Sequence, residues 1–113
     1  MAISYCSKQG WRVKDVSRNK PYDLHCYRGT KELKVEVKGT TSEGREVLLT
    51  PNEVSHAREA FPDVMLLVVG QIRLVRESVA EGGTITVFDP WAIEKGQLKP
   101  VGYAYSVPQR TNS

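Results

Sequence analysis

The sequence predicts an α/β or α+β domain with a mixed central sheet flanked by helices. Three stretches carry that expectation. YDLHCYRGTKELKVEVKGT, from Tyr22 to Thr40, alternates apolar and polar residues on both sides of a Gly29-Thr30 tip, as an antiparallel hairpin does. VLLTPNEVSHAREAF, ending at Phe61, carries the start signals and the periodicity of a helix. VMLLVVG, from Val64 to Gly70, is a continuous Val-rich apolar run, too short for a solitary helix. It reads as a central strand buried on both faces.

Each element follows from its residues. Tyr5, Cys6 and Ser7 lead to Gly10 and look like the end of a helix, which glycine can close in the left-handed conformation. WRVKDVS alternates Trp11 and Val13 with Arg12 and Lys14, as a half-buried strand does. Arg18 to Asp23 is a connection. In the hairpin, glycine at the first central position suits a type II′ turn. Thr40 to Glu46 is a polar loop or the end of a second hairpin. At the helix, Thr50 fits the N-cap, Pro51 the first helical position and Glu53 the reciprocal position of a capping box. Val54, Ala57 and Phe61 share one helical face, and Pro62 and Asp63 stop the helix. The residues IRLVRES extend the central strand, Gly82 and Gly83 turn the chain into TITVFDP, and LKPVGYAYSVP forms a last edge strand.

At 113 residues the chain is one domain's worth, 1–113, large enough for a single core. With 40% hydrophobic and 26% charged residues its composition is that of an ordinary globular protein. No apolar run approaches the roughly 20 residues of a membrane helix, and MAISYCSKQGW lacks the basic-then-apolar layout of a secretion signal. Cys6 and Cys26 have neither CxxC spacing nor a nearby His pair, so they read as two buried free thiols rather than zinc ligands. A cytoplasmic protein in a bacterium, or a nuclear one in a eukaryote, fits these features. Residues 1–45 hold 10 Lys and Arg against 5 Asp and Glu, and the remainder holds 6 against 8. A basic first half is what a phosphate partner attracts, and also what a solvated basic face looks like.

A two-residue tip at Gly29-Thr30 pairs Arg28 with Lys31, Tyr27 with Glu32, Cys26 with Leu33, His25 with Lys34, Leu24 with Val35 and Asp23 with Glu36. Leu24 and Cys26 then share a face with Leu33, Val35 and Val37, as one apolar face should. The other face sets Asp23 beside Glu36, with Lys38 two residues on. Like charges directly opposed destabilise a strand pair, so a cation belongs between them. Lys38 can be that cation, as a salt bridge. Alternatively two carboxylates bind a hard divalent cation and the lysine serves a substrate.

Asp23 at the start of one strand, followed on the next by Glu36-Val37-Lys38, resembles the PD-(D/E)xK nuclease superfamily. The wider pattern GWRVKDVS, PYDLHCYRGTKELKVEVKGTT and VLLTPNEVSHARE is similar to the domain at the C-terminus of plant NO VEIN proteins. Related domains occur in bacterial helicase-like and restriction-like proteins. The likeness spans Gly10 to Ala60 and is fainter at VFDP and YAYSV. It implies a restriction-endonuclease-like core of a helix, three antiparallel strands, a second helix and a further strand packed parallel in the middle. It implies that Asp23 and Glu36, with the backbone carbonyl of Val37, hold Mg²⁺ or Mn²⁺. Lys38 would orient or activate the attacking water and stabilise the phosphate, in a nuclease that cuts DNA. The same likeness implies a fragment of a longer chain with linked helicase-like or other domains, serving restriction, defence or nucleic-acid processing. Many members add an acid from the first helix, and none of the ten residues before Trp11 is acidic.

The other polar residues have plainer readings. His25 reads as a solvent-facing strand histidine, and His56 carries no assigned chemistry. Capping accounts for Thr50, Pro51 and Glu53, leaving Asn52 to face the site. Trp11 and Trp91 read as packing residues. Lys14, Arg18, Lys20 and Lys34 cluster at the hairpin entrance as candidate backbone-phosphate contacts. The alternative to a nuclease is a non-catalytic module of the same fold that binds nucleic acid or a protein, and a third reading is an adaptor whose sheet edge pairs with a partner strand.

Overall fold

A computed structural model describes residues 1–40, 45–76, 79–102 and 104–109. The fold is mixed α+β, consistent with a restriction-endonuclease-like core. Helix α1 (Ala2–Lys8) leads to strands β1 (Arg12–Asp15), β2 (Leu24–Arg28) and β3 (Lys31–Gly39). Helix α2 (Pro51–Ala60) follows, then β4 (Val64–Arg76), β5 (Val79–Phe88) and a 3-10 turn, Ile93–Lys95. The strands form one sheet in the order β1-β2-β3-β4-β5. All neighbours are antiparallel except β3 and β4, which run parallel.

The first helix ends where Gly10 takes φ +90, and the Trp11 N–H donates to the Cys6 carbonyl. The β2–β3 register pairs Arg28 with Lys31 and Leu24 with Val35, the pairing that the apolar alternation demands. Gly29 at the tip has φ +61, as a primed hairpin turn requires at that position. Thr50 caps α2, and the capping box with Glu53 is complete.

The sheet separates two cores. Cys6 of α1 packs with Leu24, Cys26, Leu33, Val35, Met65, Leu67 and Val69 on one face. On the other, Ala57 of α2 packs with Val64, Leu66, Val68, Trp91 and Ile93. Successive residues of β4 serve opposite cores, which is why VMLLVVG is apolar without interruption. Trp91 is buried and Trp11 packs at the edge of the first core, and both cysteines are buried and free.

Three expectations are corrected. Phe61 does not share the buried face of α2: it is 49% exposed, because the helix ends at Ala60 and Phe61 turns extended (φ −58, ψ 133). Val54 and Ala60 flank the core instead. Gly82-Gly83 is not the turn, since β5 begins at Val79 and Gly82 pairs with Ile72. Gly83 (φ +111) lies across from Gln71 (φ +56) in unbroken register, and the register shift of this ladder falls between Leu74 and Arg76. Residues 77–78, which join the two strands, lie outside the described residues, as do 41–44 of the polar loop and 103 of the C-terminal segment. The described residues of 98–108 form no strand. Val101, Tyr105 and Val107 are exposed, so the alternation there has no sheet face to bury against.

Leu67 is fully buried at the centre of β4, whereas Leu48 lies open to solvent. Leu67→Ala is expected to lower stability by about 2–5 kcal/mol and Leu48→Ala by less than about 0.5 kcal/mol, measured by urea unfolding of the two variants and the parent chain.

Candidate functional site

A short chain of hydrogen bonds builds the entrance to the site. The Asp15 carboxylate accepts from the Ser17 N–H at 3.0 Å and the Ser17 hydroxyl at 2.7 Å, which folds the chain back after β1. Asn19 and Lys20 N–H groups both donate to the Val16 carbonyl, and the Val16 N–H donates to the Asp23 carbonyl. The resulting loop carries Arg18 and Lys20 into a cleft of about 660 Å³, whose other walls include Asp23, Asn52, Glu53 and His56.

Asp23 stands just ahead of β2. Its N–H donates to the Val35 carbonyl, and its Oδ2 accepts from the Val37 N–H at 2.8 Å. Glu36 and Lys38 project from β3 to the α2 side of the sheet, in register with Leu66 and Val68. Glu36 is the one buried charged side chain among the described residues, 3% exposed. The Lys38 ammonium lies 2.9 Å from Glu53 Oε1 and 3.7 Å from Glu36 Oε1. Glu53 Oε1 also accepts from the Thr50 N–H at 2.8 Å. Asp23, Glu36 and Lys38 therefore meet at one place, joined by Glu53.

The capping role predicted for Glu53 is real, but it conceals a second one. A capping residue needs only one lone pair for the N-cap amide, and a carboxylate has several. The remaining capacity goes to Lys38. The sequence signal was the residue spacing itself, which could not say what lay under the first turn of α2.

His25 is also corrected. Its side chain is 14% exposed rather than solvent-facing. Its Nδ1 lies 2.7 Å from the Tyr22 hydroxyl and its Nε2 2.8 Å from Glu32 Oε1. In the neutral tautomer that satisfies both, Tyr22 donates to Nδ1 and Nε2–H donates to Glu32. Tyr22 stacks on His56 with centroids 4.5 Å apart, and His25 stacks on Tyr27 at 4.6 Å. Of the four predicted phosphate contacts, Arg18 and Lys20 line the cleft, while Lys14 and Lys34 flank His25 on the neighbouring strands.

The family model described as Protein NO VEIN, C-terminal, matches residues 1–79, well over half of the chain. The chain belongs to this family. No curated protein matches the sequence. Every residue of the carboxylate cluster and of the cleft falls inside the segment matched to NO VEIN C-terminal domains. Among the described residues, no helix is long and apolar enough to cross a membrane.

The electrostatics of this NO VEIN C-terminal domain centre on Glu36. Burial, then the neighbouring carboxylates of Glu53 and Asp23, push its carboxyl up to about 9. Burial also acts to raise Glu53, but the Thr50 N–H and the Lys38 ammonium outweigh it and bring that carboxyl below its usual range. Loss of solvent, and then the charge of Lys34, hold His56 below the ordinary imidazole range. Among the described residues no three His, Cys, Asp or Glu side chains are gathered as a ready metal-binding group. The Lys38 ammonium, which Glu53 and Glu36 share, is the cation observed there.

A carboxyl whose pKa is raised on folding keeps a proton that the unfolded chain gives up, so stability falls as pH climbs from about 4.5 towards about 9. Glu36→Gln removes that titration. In EDTA, the variant is expected to gain on the parent chain steadily between pH 5 and 9, reaching a Tm gap of about 4 °C or more. Thermal melts of both proteins across that range check it; parallel Tm curves would mean that Glu36 is ionised in the fold.

Proposed function

We propose that this domain is a metal-dependent nuclease that hydrolyses phosphodiester bonds in DNA. The observation that carries the reading is the meeting of Asp23, Glu36 and Lys38 beside a cleft edged by Arg18 and Lys20. Three carboxyl groups and one ammonium share this floor once Glu53 is included, and a divalent cation bound there would displace the proton that Glu36 holds. A set of carboxylate oxygens in that state suits a hard divalent cation such as Mg²⁺ or Mn²⁺.

Asp23 and Glu36, with the Val37 carbonyl, would hold the ion. A bound ion supplies charge for the phosphate and lowers the pKa of water. Lys38 would release Glu53 and turn to the water and the non-bridging phosphate oxygens, where a cation stabilises developing charge. Lys14, Arg18, Lys20 and Lys34 would track the phosphate backbone and set the strand over the floor. Work on DNA as one module of a larger restriction, defence or nucleic-acid-processing protein is part of the same proposal.

A specific observation favours the second reading, a binding module without catalysis. Lys38 is already neutralised at 2.9 Å by Glu53, which leaves the floor closed by a salt bridge. Metal binding separates the two. Millimolar Mn²⁺ is expected to raise the Tm of the parent chain, because an ion held only by the folded state stabilises it, by about 2.7 kcal/mol at a hundred times its Kd. Asp23→Asn is expected to lose that shift. Lys38→Ala is expected to keep it, and to lose nicking of supercoiled plasmid. A parent chain with no Mn²⁺-dependent shift would leave the binding module as the better account.

Affinity for duplex DNA is expected to fall steeply with salt, through counterion release. Lys14→Ala and Arg18→Ala should each weaken binding to all duplex sequences alike and reduce the slope of log K against log salt by about 1. Fluorescence anisotropy titrations at several salt concentrations give both quantities; binding insensitive to salt would count against a nucleic-acid partner.

A further inference from the structure

At the far end of β2 from Asp23 lies a separate niche of about 330 Å³, lined by Gly10, Arg12, Tyr27, Arg28 and Gly29. We propose that it receives an unpaired nucleotide of a single strand that continues out of the cleft, so that the substrate is a duplex with a single-stranded tail rather than a plain duplex. The proposal rests on the nucleic-acid reading above and names its substrate class.

The niche is built from parts that suit a nucleotide. Tyr27 offers an aromatic ring, already fixed by its stack on His25 at 4.6 Å and 17°. A ring so held has little rotamer freedom left to lose when a base stacks on it. Arg12 stands directly across from Tyr27 in the β1–β2 ladder and is exposed. Arg28 is held rigidly: its guanidinium lies 4.0 Å over the Trp11 ring and donates to the Gln9 carbonyl at 2.6 Å. A fixed ring with one guanidinium across from it, and a second arginine at the rim of the niche, offers a face to a base and cationic partners to its phosphate. Gly10 and Gly29 carry no side chain to fill the space, so a ligand can come close to the backbone.

Two acids lie near the region, and the cations Arg12, Arg28 and Lys14 outnumber them. Glu32 pairs with Tyr27 in the β2–β3 ladder, and its carboxylate accepts from His25 at 2.8 Å. Asp89 is near enough to feel Arg28, and loss of solvent raises its carboxyl above its ordinary value. Lys14 continues the cationic edge along β1 towards the cleft, opposite His25.

The niche is also at a usable distance. Asp23 and Tyr27 are four residues apart along an extended chain, roughly 13 Å at about 3.3 Å per residue. That is about four nucleotides at the 3.4 Å rise of a stacked strand. Tails shorter than this should not reach Tyr27 from the carboxylate floor.

The test is an anisotropy titration of the full chain with a labelled blunt duplex and with the same duplex bearing unpaired tails of two, four and eight nucleotides. Tails of four and eight should bind about tenfold tighter than the blunt duplex, the effect of one stacked base, and the tail of two should not. Tyr27→Ala should abolish the gain while leaving blunt-duplex affinity unchanged, and Tyr27→Phe should keep it. Should Tyr27→Ala fail to fold by circular dichroism, Arg12→Ala replaces it, with the gain expected to drop at least threefold. Equal affinity for blunt and tailed DNA overturns the proposal, as does a tail gain that survives Tyr27→Ala. Tyr27-dependent binding of an acidic peptide with no tail gain would assign the niche to a protein partner and overturn it too. Blunt-duplex binding without a tail gain sinks this inference alone. A tail gain with no Mn²⁺-dependent shift and no nicking upholds it and sinks only the nuclease reading.

Discussion

The parallel pairing of β3 with β4 is the constraint on which the rest of the structure depends. Antiparallel neighbours can be joined by a tight turn, but parallel ones need a crossover that carries the chain back over the sheet. Here the crossover is α2, and its first turn comes to lie over the α2-facing side chains of β3. Glu36 and Lys38 are on that side because Val35 and Val37 are needed on the other. A buried carboxylate and a lysine thus meet the N-terminal turn of a helix as a consequence of topology. The cleft follows from the same crossing, since α2 forms one wall and the loop after β1 the other.

Burial then decides how the charges behave. In water, three carboxylates near one ammonium would be a minor matter. Under α2 the medium is less polar, like charges repel more strongly, and the innermost carboxyl takes up a proton. Lys38 is the counter-charge, but it leans to Glu53, which is ionised, and stands further from Glu36. The cluster is consequently asymmetric: an ion pair towards the helix and a reluctant acid beneath it. Sites whose acids are pushed apart in this way are frequently functional, although structural ion-pair networks do the same.

Much of this was legible in the residues. The β2–β3 register followed from one requirement, that Leu24, Cys26, Leu33 and Val35 share a face, and the same requirement brought Asp23 to Glu36 and Lys38. The start of α2 was legible because Thr50, Pro51 and Glu53 carry position-specific backbone chemistry. What the sequence hid depended on neighbours remote in the chain. Glu53 had a complete local explanation, and nothing local pointed to Lys38. His25 looked solvent-facing because alternation gives a face, and Tyr22 and Glu32 close over it only in three dimensions. Gly82 and Gly83 looked like a turn because glycine pairs commonly are, whereas β5 runs through them to match the length of β4. The C-terminal alternation failed for the opposite reason: a pattern suited to a strand lacked a sheet to join.

The double duty of Glu53 ties the backbone to the site. Its Oε1 is divided between the Thr50 amide and the Lys38 ammonium. Drawing Lys38 away would leave more of the carboxylate's charge for the amide and tighten the first turn of α2. Pulling Glu53 itself towards a cation would loosen that turn. The Thr50 amide proton is accordingly a built-in gauge of the charge state beneath it. Its exchange rate and chemical shift, with those of the Val37 amide that donates to Asp23, should follow events on the carboxylate floor.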